Sequence, residues 1–304
     1  MQIIRRWQRS LYKKMVKYNI VTPKVVVLID GGICSQMHQY LIGKLFENKG
    51  YAVVFDLAFY REWGSDLNYR FARNFDLLKA FPYLKMQEAS DLEVDVYKQK
   101  YYNLGNNTTH KTNDFSFLEK EPPVYLGGYY YLPSTTWLPV FKSIFRLSTS
   151  VLDKPNQALY SEIGLCHSSV AVHVRRGDLA VEIPAYGRPA TVEYFQSAIS
   201  YINEKTEESY FYFFSDEPEW VHDELIPCLN LSLDKDCKIV DINGSDRGYM
   251  DLFLIANCTH QITSKGTLGK YGALLNDNMH KIVVLYDDEV EHYWRGFFKN
   301  PVFL

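Results

Sequence analysis

The sequence predicts an α/β protein with two domains, each built around a parallel sheet that is covered by helices. In the second half, short β-branched and aromatic runs alternate with segments of helical apolar spacing. The first half opens with one strand–helix–strand unit. With 304 residues and 47% hydrophobic content, the chain can bury a large core and is nearer to two domains than to one. We therefore predict domains at residues 1–150 and 151–304, facing each other across a cleft.

The second half is expected to contain five strands and four helices. The strands are predicted at Ser169–Val174, Tyr210–Phe214, Lys238–Ile242, Gln261–Thr263 and Lys281–Tyr286. The helices are predicted at Thr191–Asn203, Pro218–Leu225, Asp246–Cys258 and Thr267–Asn276. Their alternation requires right-handed crossovers and a parallel sheet, which is typical of a doubly wound nucleotide-binding domain. The first strand is almost entirely apolar, as expected when helices cover both faces.

In the first half the pattern is clear at the start and weaker afterwards. Strands are predicted at Val25–Ile29, Tyr51–Phe55 and Val124–Tyr129, and helices at Gln36–Asn48 and Trp137–Leu147. The polar segment Tyr97–Asp114 is predicted to be a loop, and Thr149–Gly164 a boundary or short helical link.

Composition excludes several classes of protein. Thirty-three basic and 36 acidic residues leave a net charge of −3, which does not indicate a nucleic-acid or polyanionic partner. Five scattered cysteines without Cys-x-x-Cys spacing argue against a disulfide framework or a zinc site and fit a reducing cytoplasm. No apolar run approaches the roughly 18 to 20 residues that span a bilayer.

The first twenty residues combine cations with apolar side chains. The cations are Arg5, Arg6, Arg9, Lys13, Lys14 and Lys17, and the apolar residues include Ile3, Ile4, Trp7, Leu11 and Val16. This pattern predicts a basic amphipathic helix, which either lies on an anionic membrane surface or packs on the domain as a solvated lead-in. It lacks the continuous apolar region of a secretory signal.

Charged residues follow the first predicted strand of the second domain, where ligands bind to parallel sheets. Arg175 and Arg176 offer planar donors that can hold a diphosphate and neutralise the charge on it as it leaves. Because side chains alternate along an extended segment, we expect Arg175 to meet the phosphate and Arg176 to bridge carboxylates or assist. The alternative is a structural arginine pair tied to Asp178.

Three further candidates lie at strand ends of the same sheet. His173 either contacts a base or ribose or is a satisfied core residue. Asp216 is a candidate acceptor for the N–H groups of guanine and also a candidate helix cap. The segment Ser264–Thr267 begins a helix, where free N–H groups favour phosphate, and Lys265 and Thr267 add donors.

The segment Asp30–Tyr40 follows the first strand of the first domain. Gly31 and Gly32 allow another molecule to approach the backbone, although the spacing is not that of a dinucleotide fingerprint and a tight structural turn is the alternative. Gln36 and His38 follow on the next helix as acceptor-side candidates.

These motifs together resemble those of α-1,2-fucosyltransferases of glycosyltransferase family 11. The similar segments are His173–Asp178 (HVRRGD), Gly31–Gly43, Phe214–Trp220, Gly248–Cys258 and Ser264–Leu275, in the family's order across most of the chain. The loop Lys265–Tyr271 departs from the family pattern by losing two serines and both tryptophans.

The resemblance implies a GT-B-like fold with two Rossmann-like domains and an inverting transfer of L-fucose from GDP-fucose to the 2-hydroxyl of a galactoside in a surface glycan or oligosaccharide. It implies no cofactor and no metal. Arg175 would hold the β-phosphate, His173 and Asp216 the guanine, and Thr267 the phosphates. The expected partners are GDP-fucose and a galactose-terminated acceptor, and the expected location is the bacterial cytoplasm, peripheral to the inner membrane.

An inverting transfer needs a group that takes the proton of the acceptor hydroxyl. Asp178 and Glu182 near the arginine motif, and Asp30 and His38 in the first domain, are all candidates. Two other functions stay open. One is a GDP-sugar-binding protein without transfer activity, and the other is a glycosyltransferase of different donor or linkage specificity.

Overall fold

The computed structural model describes residues 2–66, 71–106, 113–181, 188–244 and 246–304. The chain divides into two compact units, Met1–Phe145 and Arg146–Leu304. Each unit has a parallel sheet with its own buried core.

The first unit is built on a four-stranded parallel sheet. Its strands are β1 (Lys24–Leu28), β2 (Ala52–Asp56), β5 (Tyr102–Leu104) and β6 (Val124–Gly127), in the order β2-β1-β6-β5, and a separate antiparallel pair is formed by β3 (Ser65–Asp66) and β4 (Phe71–Ala72). The helices are α1 (Gln2–Lys17), α2 (Ile33–Asn48), α3 (Ala58–Glu62), α4 (Leu77–Ala80), α5 (Asp91–Lys100) and α6 (Ser134–Ile144), with a 3-10 turn at Ser116–Glu119.

The second unit is built on a six-stranded sheet in which all neighbouring strands are parallel. Its strands are β7 (Ser168–Val174), β8 (Ser209–Ser215), β9 (Cys237–Val240), β10 (His260–Thr263), β11 (Val283–Leu285) and β12 (Val302–Phe303), in the order β12-β11-β10-β7-β8-β9. The central strand β7 is buried along its whole length, as its apolar composition predicts.

The helices of the second unit follow its strands in alternation. They are α7 (Lys154–Leu165), α8 (Gly177–Val181), α9 (Val192–Lys205), α10 (Pro218–Trp220), α11 (Gly248–Asn257) and α12 (Leu268–Leu275). Helix α10 continues through a π-helical turn at Val221–Leu225 and a 3-10 turn at Ile226–Cys228, and further 3-10 segments lie at Thr149–Val151 and Glu291–Phe297.

Local sequence explains where several helices begin. Asp153 caps α7 by accepting from the backbone N–H of Asn156, and Thr191 caps α9 by accepting from that of Tyr194. Ser90 and Glu93 form a reciprocal capping box at the start of α5. Each side chain satisfies backbone donors that the first turn of a helix leaves unpaired.

The loop prediction for Tyr97–Asp114 is wrong in its first part. Helix α5 runs to Lys100, and Tyr102–Leu104 forms strand β5, which pairs with β6. The segment is polar because Tyr97 is the one buried residue among those that it shares with α5, and the three residues of β5 are too few for a strand pattern in the sequence. Pairing with a neighbour distant in sequence decides the structure here.

No helix among the described residues combines the length and the apolar character that crossing a membrane requires. The five cysteines are all free thiols.

Candidate functional site

The sheet of the second unit has a topological switch point between β7 and β10. From β7 the chain adds β8 and β9 on one side and then crosses to add β10, β11 and β12 on the other. Counted from β7, this is the strand order 3-2-1-4-5-6, in which nucleotides bind outside the carboxyl ends of the strands on both sides of the switch. Arg175 follows β7 and Ser264 follows β10, so these two segments form the rim of that crevice.

Arg175 is fixed at this rim by its backbone and by its side chain. Its backbone N–H donates to Ser264 Oγ at 2.9 Å, and the N–H of Ser264 donates to the carbonyl of His173 at 3.2 Å. The Arg175 guanidinium lies 3.1 Å from a carboxylate oxygen of Asp216, which follows β8. Three neighbouring strands therefore contribute to the position of one cation.

Asp216 also holds the turn that follows β7. Its two carboxylate oxygens accept from the backbone N–H groups of Arg176 and Gly177, at 3.0 and 3.1 Å. These bonds and the contact with Arg175 are the ones that the structure gives this carboxylate. The expected contact between Asp216 and guanine stays a prediction.

Arg176 has different partners from Arg175. Its Nε donates to Glu217 at 3.1 Å, and its guanidinium carbon lies 3.7 Å from the centre of the Trp220 ring. A guanidinium stacked on an indole and paired with a carboxylate is held in one orientation. Arg176 thus joins the ends of β7 and β8, in agreement with its predicted bridging to carboxylates.

His173 is buried just before the arginines, and its ring carries an unsatisfied nitrogen. Nδ1 is inaccessible to solvent and has no hydrogen-bond partner within the described residues. Helix α12 approaches it so closely that a Cβ at Gly269 would lie 2.8 Å from the His173 Cβ. Burial, and secondly the charges of Arg175 and Lys270, lower the pKa of His173 to about 3. The imidazole is therefore neutral at physiological pH.

We expect His173→Leu to reduce the acid sensitivity of the fold. Native His173 stays neutral down to about pH 3, whereas the unfolded imidazole takes up a proton below its ordinary pKa of 6.5. This group's contribution to stability is complete above pH 6.5 and is lost as the pH falls, by about 1.4 kcal/mol per pH unit. Urea unfolding at about pH 7 and about pH 5 measures the loss, which should be smaller in the variant.

His280→Leu is the matched control, because that imidazole is exposed. The same pH dependence in wild type and in His173→Leu would contradict the expectation.

The segment after β10 forms a tight turn beside Arg175. Gly266 has a φ of +87°, and a Cβ at this position would lie 3.3 Å from Arg175 Cγ, so a larger residue is disfavoured by both conformation and space. Thr267 stands at the N-cap position of α12, and its side chain makes no capping hydrogen bond. The N–H groups of that first turn, which have no acceptor within the helix, suit an anionic oxygen.

Lys265 is paired with a carboxylate that follows β11. Its Nζ lies 2.8 Å from Asp288, and its side chain is 9% exposed. The charge of Lys265 is therefore balanced inside the chain. Lys265 ties this turn to the segment after β11, and its contact with the donor phosphate stays a prediction.

Lys270 is a second lysine of this loop, and it is completely buried. Its Nζ donates to the carbonyls of Ser264 at 2.8 Å and Gly266 at 2.6 Å, and lies 2.6 Å from Glu291. One cation thus holds both carbonyls of the turn that packs against Arg175. Sequence reasoning gave Lys270 no role, although a lysine in an otherwise apolar helix was the signal.

A sequence model of glycosyl transferase family 11 matches residues 94–295, which are 202 of the 304 residues. The match includes every residue of the crevice described above. The chain belongs to glycosyl transferase family 11.

Two curated relatives from Escherichia coli resemble this family 11 member. The O-antigen biosynthesis glycosyltransferase WbnK is 26% identical over 148 residues, which are 46% of each chain. An alpha-1,2-colitosyltransferase is 28% identical over 120 residues, which are 38% of this chain and 39% of the relative. The matched part therefore spans less than half the length of either relative.

The fold of the family 11 member is similar to that of the fucosyltransferase NodZ from Bradyrhizobium. The two structures align with a TM-score of 0.52 at 13% identity, over 84% of this chain and 94% of NodZ. At this identity the similarity concerns the fold alone. It confirms the predicted GT-B-like α/β class.

The two acceptor-side candidates on the first helix of this unit, His38 and Gln36, are buried and hydrogen-bonded within the core, and their contact with an acceptor stays a prediction. Trp137 donates to His38 Nδ1 at 3.1 Å, so Nε2 carries the hydrogen and donates to the carbonyl of Tyr130 at 2.6 Å. Neither nitrogen is left to accept a proton, and burial lowers the pKa of His38 to about 4. Gln36 is fully buried and bonds through both ends of its amide, donating to Gly31 and Asn74 and accepting from two backbone N–H groups.

The two glycines before this helix have different surroundings. Gly31 has a φ of +70°, and its carbonyl accepts from Gln36 and from the hydroxyl of Tyr60. At Gly32 a Cβ would meet nothing within 4 Å. Approach of an acceptor to this turn stays a prediction. Asp30, a candidate base, accepts at 2.6 Å from the amide of Gln39.

Two predicted catalytic acids cannot be placed. The side chain of Asp178 and the whole of Glu182 lie outside the described residues. Among the residues that are described, no group of three or more His, Cys, Asp or Glu residues has the arrangement of a metal site.

Asp251 in α11 is an acidic residue that sequence reasoning did not single out. Burial of its carboxyl raises its pKa to about 7, and Asn243 donates to it at 2.8 Å. Asn243, which follows β9, also bonds to Asn156 of α7, so this acid belongs to a polar network. A single sequence shows no sign of it, because the network joins residues of three segments.

Proposed function

We propose that the chain is an inverting glycosyltransferase that transfers L-fucose from GDP-fucose to the 2-hydroxyl of a galactoside. The observation that carries the proposal is the guanidinium of Arg175, held at the switch point of a nucleotide-binding sheet and backed by the turn at Gly266. Membership of family 11 and the fold shared with a fucosyltransferase support the same class of reaction.

In this proposal the donor diphosphate lies between the end of β7 and the start of α12. The acceptor oxygen attacks the anomeric carbon, the bond from that carbon to the phosphate oxygen breaks, and the electron pair stays on GDP. Arg175 and the N–H groups of the first turn of α12 stabilise the growing negative charge, so they act most strongly in the transition state. The acceptor proton passes to a base, and Asp178 and Glu182 are two of the candidates that the sequence offers.

The nucleoside would extend past His173, as the family resemblance implies. Attack on the face opposite the leaving group converts a β-linked donor into an α-fucoside. In this proposal Arg175 and the N–H groups of α12 perform the neutralisation, without a metal or cofactor. The first unit would then supply the acceptor side.

A second donor sugar has specific support. One relative is named as an alpha-1,2-colitosyltransferase, which agrees with the proposed α-1,2 linkage but differs in the sugar. Donor choice therefore lies between fucose and colitose. The α-1,2 linkage is common to both alternatives.

A donor screen with the full chain tests the proposal. We expect GDP release and an α-1,2-linked product from GDP-fucose with galactose-terminated acceptors, and competition by GDP but not by UDP. Turnover with GDP-linked colitose but not with GDP-fucose would change the proposed donor sugar from fucose to colitose. GDP binding without transfer to any acceptor of the panel would favour a binding protein, and preference for UDP would contradict the proposed base.

A further inference from the structure

Helix α1 has two apolar faces, and only one of them packs on the protein. Val16 is buried and Tyr12 half-buried against the core beside α5. On the other side, Ile4, Trp7, Leu11 and Tyr18 are 64%, 74%, 62% and 64% exposed. Three of these residues lie seven residues apart and Trp7 lies between them, so at 3.6 residues per turn all four share one narrow stripe.

Polar contacts determine which face of α1 points outward. Arg9 Nε donates to Asp95 at 2.9 Å, and Lys13 donates to Gln99 at 3.1 Å. The hydroxyl of Tyr12 donates to Glu93 at 3.3 Å. All three acceptors belong to α5, so the face opposite the exposed stripe is the one that is anchored.

The charge of this segment is of one sign. The first twenty residues hold six of the chain's 33 basic residues and none of its 36 acidic ones. Arg9 is balanced by Asp95, whereas Arg5, Arg6, Lys14 and Lys17 are exposed, and at the helical spacing Lys14 and Lys17 lie toward one edge of the apolar stripe. An apolar stripe flanked by cations complements a surface that is apolar within and anionic at its boundary.

We propose that the outer face of α1 docks the protein onto an anionic phospholipid bilayer. Trp7 and Leu11 enter the boundary between headgroups and acyl chains, and the flanking cations pair with lipid phosphates. A bilayer accepts a single convex helix without a matching groove, whereas a protein partner would have to enclose four large side chains. The inference concerns the first unit alone and goes beyond the transferase function, because it does not depend on the donor.

Vesicle flotation of the full chain tests this inference. The probes are vesicles of phosphatidylcholine containing about 30% phosphatidylglycerol, and vesicles of phosphatidylcholine alone. We expect binding to the anionic vesicles that weakens with added salt, and binding at least about tenfold weaker to the neutral ones. Trp7→Ala/Leu11→Ala should reduce the partition coefficient at least about tenfold, since both side chains enter the lipid.

Two further variants sharpen the test. Lys14→Gln/Lys17→Gln should weaken binding to anionic vesicles and leave the weak binding to neutral vesicles unchanged. Leu165→Ala/Met279→Ala removes two apolar side chains that are 88% and 75% exposed elsewhere, and should bind as the wild type does.

Three results would overturn the inference. The first is that the wild type does not bind anionic vesicles, and the second is that Trp7→Ala/Leu11→Ala binds them as strongly as the wild type. The third is that the wild type forms a dimer without lipid and that this variant does not. The last would assign the stripe to a second copy of the chain. None of these results depends on transferase activity, so failure of the proposed reaction and failure of docking are separate outcomes.

Discussion

Replacing Arg175 with alanine should lower kcat/KM for sugar transfer at least about a hundredfold, or about 2.7 kcal/mol of transition-state stabilisation. The guanidinium meets negative charge that grows as the nucleotide leaves, so the loss should fall mainly on kcat rather than on KM. Arg175→Lys should recover only part of the rate, because an ammonium keeps the charge but not the planar pair of donors. Steady-state kinetics with the donor that the screen selects measures both variants.

The structure provides controls for this experiment. Arg175 and Asp216 both have side chains about one-quarter exposed, so loss of their ion pair should change the thermal midpoint little. Lys205→Ala removes an exposed cation at the end of α9, away from the carboxyl ends of the strands, and should leave kcat/KM unchanged. A folded Arg175→Ala protein that keeps wild-type turnover would refute the proposed site.

Replacing Lys270 with methionine should lower the free energy of unfolding by about 3 to 5 kcal/mol. The change leaves the carboxylate of Glu291 buried without its cation, and it removes the donor shared by the carbonyls of Ser264 and Gly266. Removing one partner of a buried ion pair destabilises the fold by more than the intact pair stabilises it, because the remaining charge stays out of water. Urea unfolding at neutral pH gives the difference.

A double-mutant cycle separates the ion pair from general packing. Lys270→Met/Glu291→Gln should recover most of the lost stability, since no charge is then stranded. Lys265→Met is the matched control: its partner Asp288 is more exposed than Glu291, at 28% against 7%, so its loss should be clearly smaller. If Lys265→Met and Lys270→Met lowered the free energy of unfolding equally, the deeper burial of the Lys270–Glu291 pair would not raise the cost of breaking it.

Local patterns were sufficient to predict much of this architecture. The apolar run that became β7, the alternation of strands and helices after it, and the basic amphipathic character of α1 all depend on neighbours a few residues apart. Family resemblance added the GT-B-like class, which composition and periodicity leave open. The same local view missed β5, because its three residues become a strand only beside β6.

In the first unit, the surroundings of two polar side chains differ from those that the sequence suggests. Gln36 and His38 follow a glycine turn and were interpreted as an acceptor surface, yet both are hydrogen-bonded inside the core. Their partners Asp76 and Trp137 are 40 and 99 residues away. The sequence does not distinguish a polar residue at a helix start that faces a ligand from one that bonds to a distant backbone segment.

The amino-acid sequence by itself determined the longer strands, the charged segments at their ends and the family, because each of these is a property of contiguous residues. The tertiary structure decided that Arg175 pairs with Asp216, that Lys270 pairs with Glu291, and that one apolar stripe of α1 stays uncovered. The physical reason is that burial and pairing depend on which strands and helices become neighbours. That order is set by the packing of the whole unit rather than by any short segment.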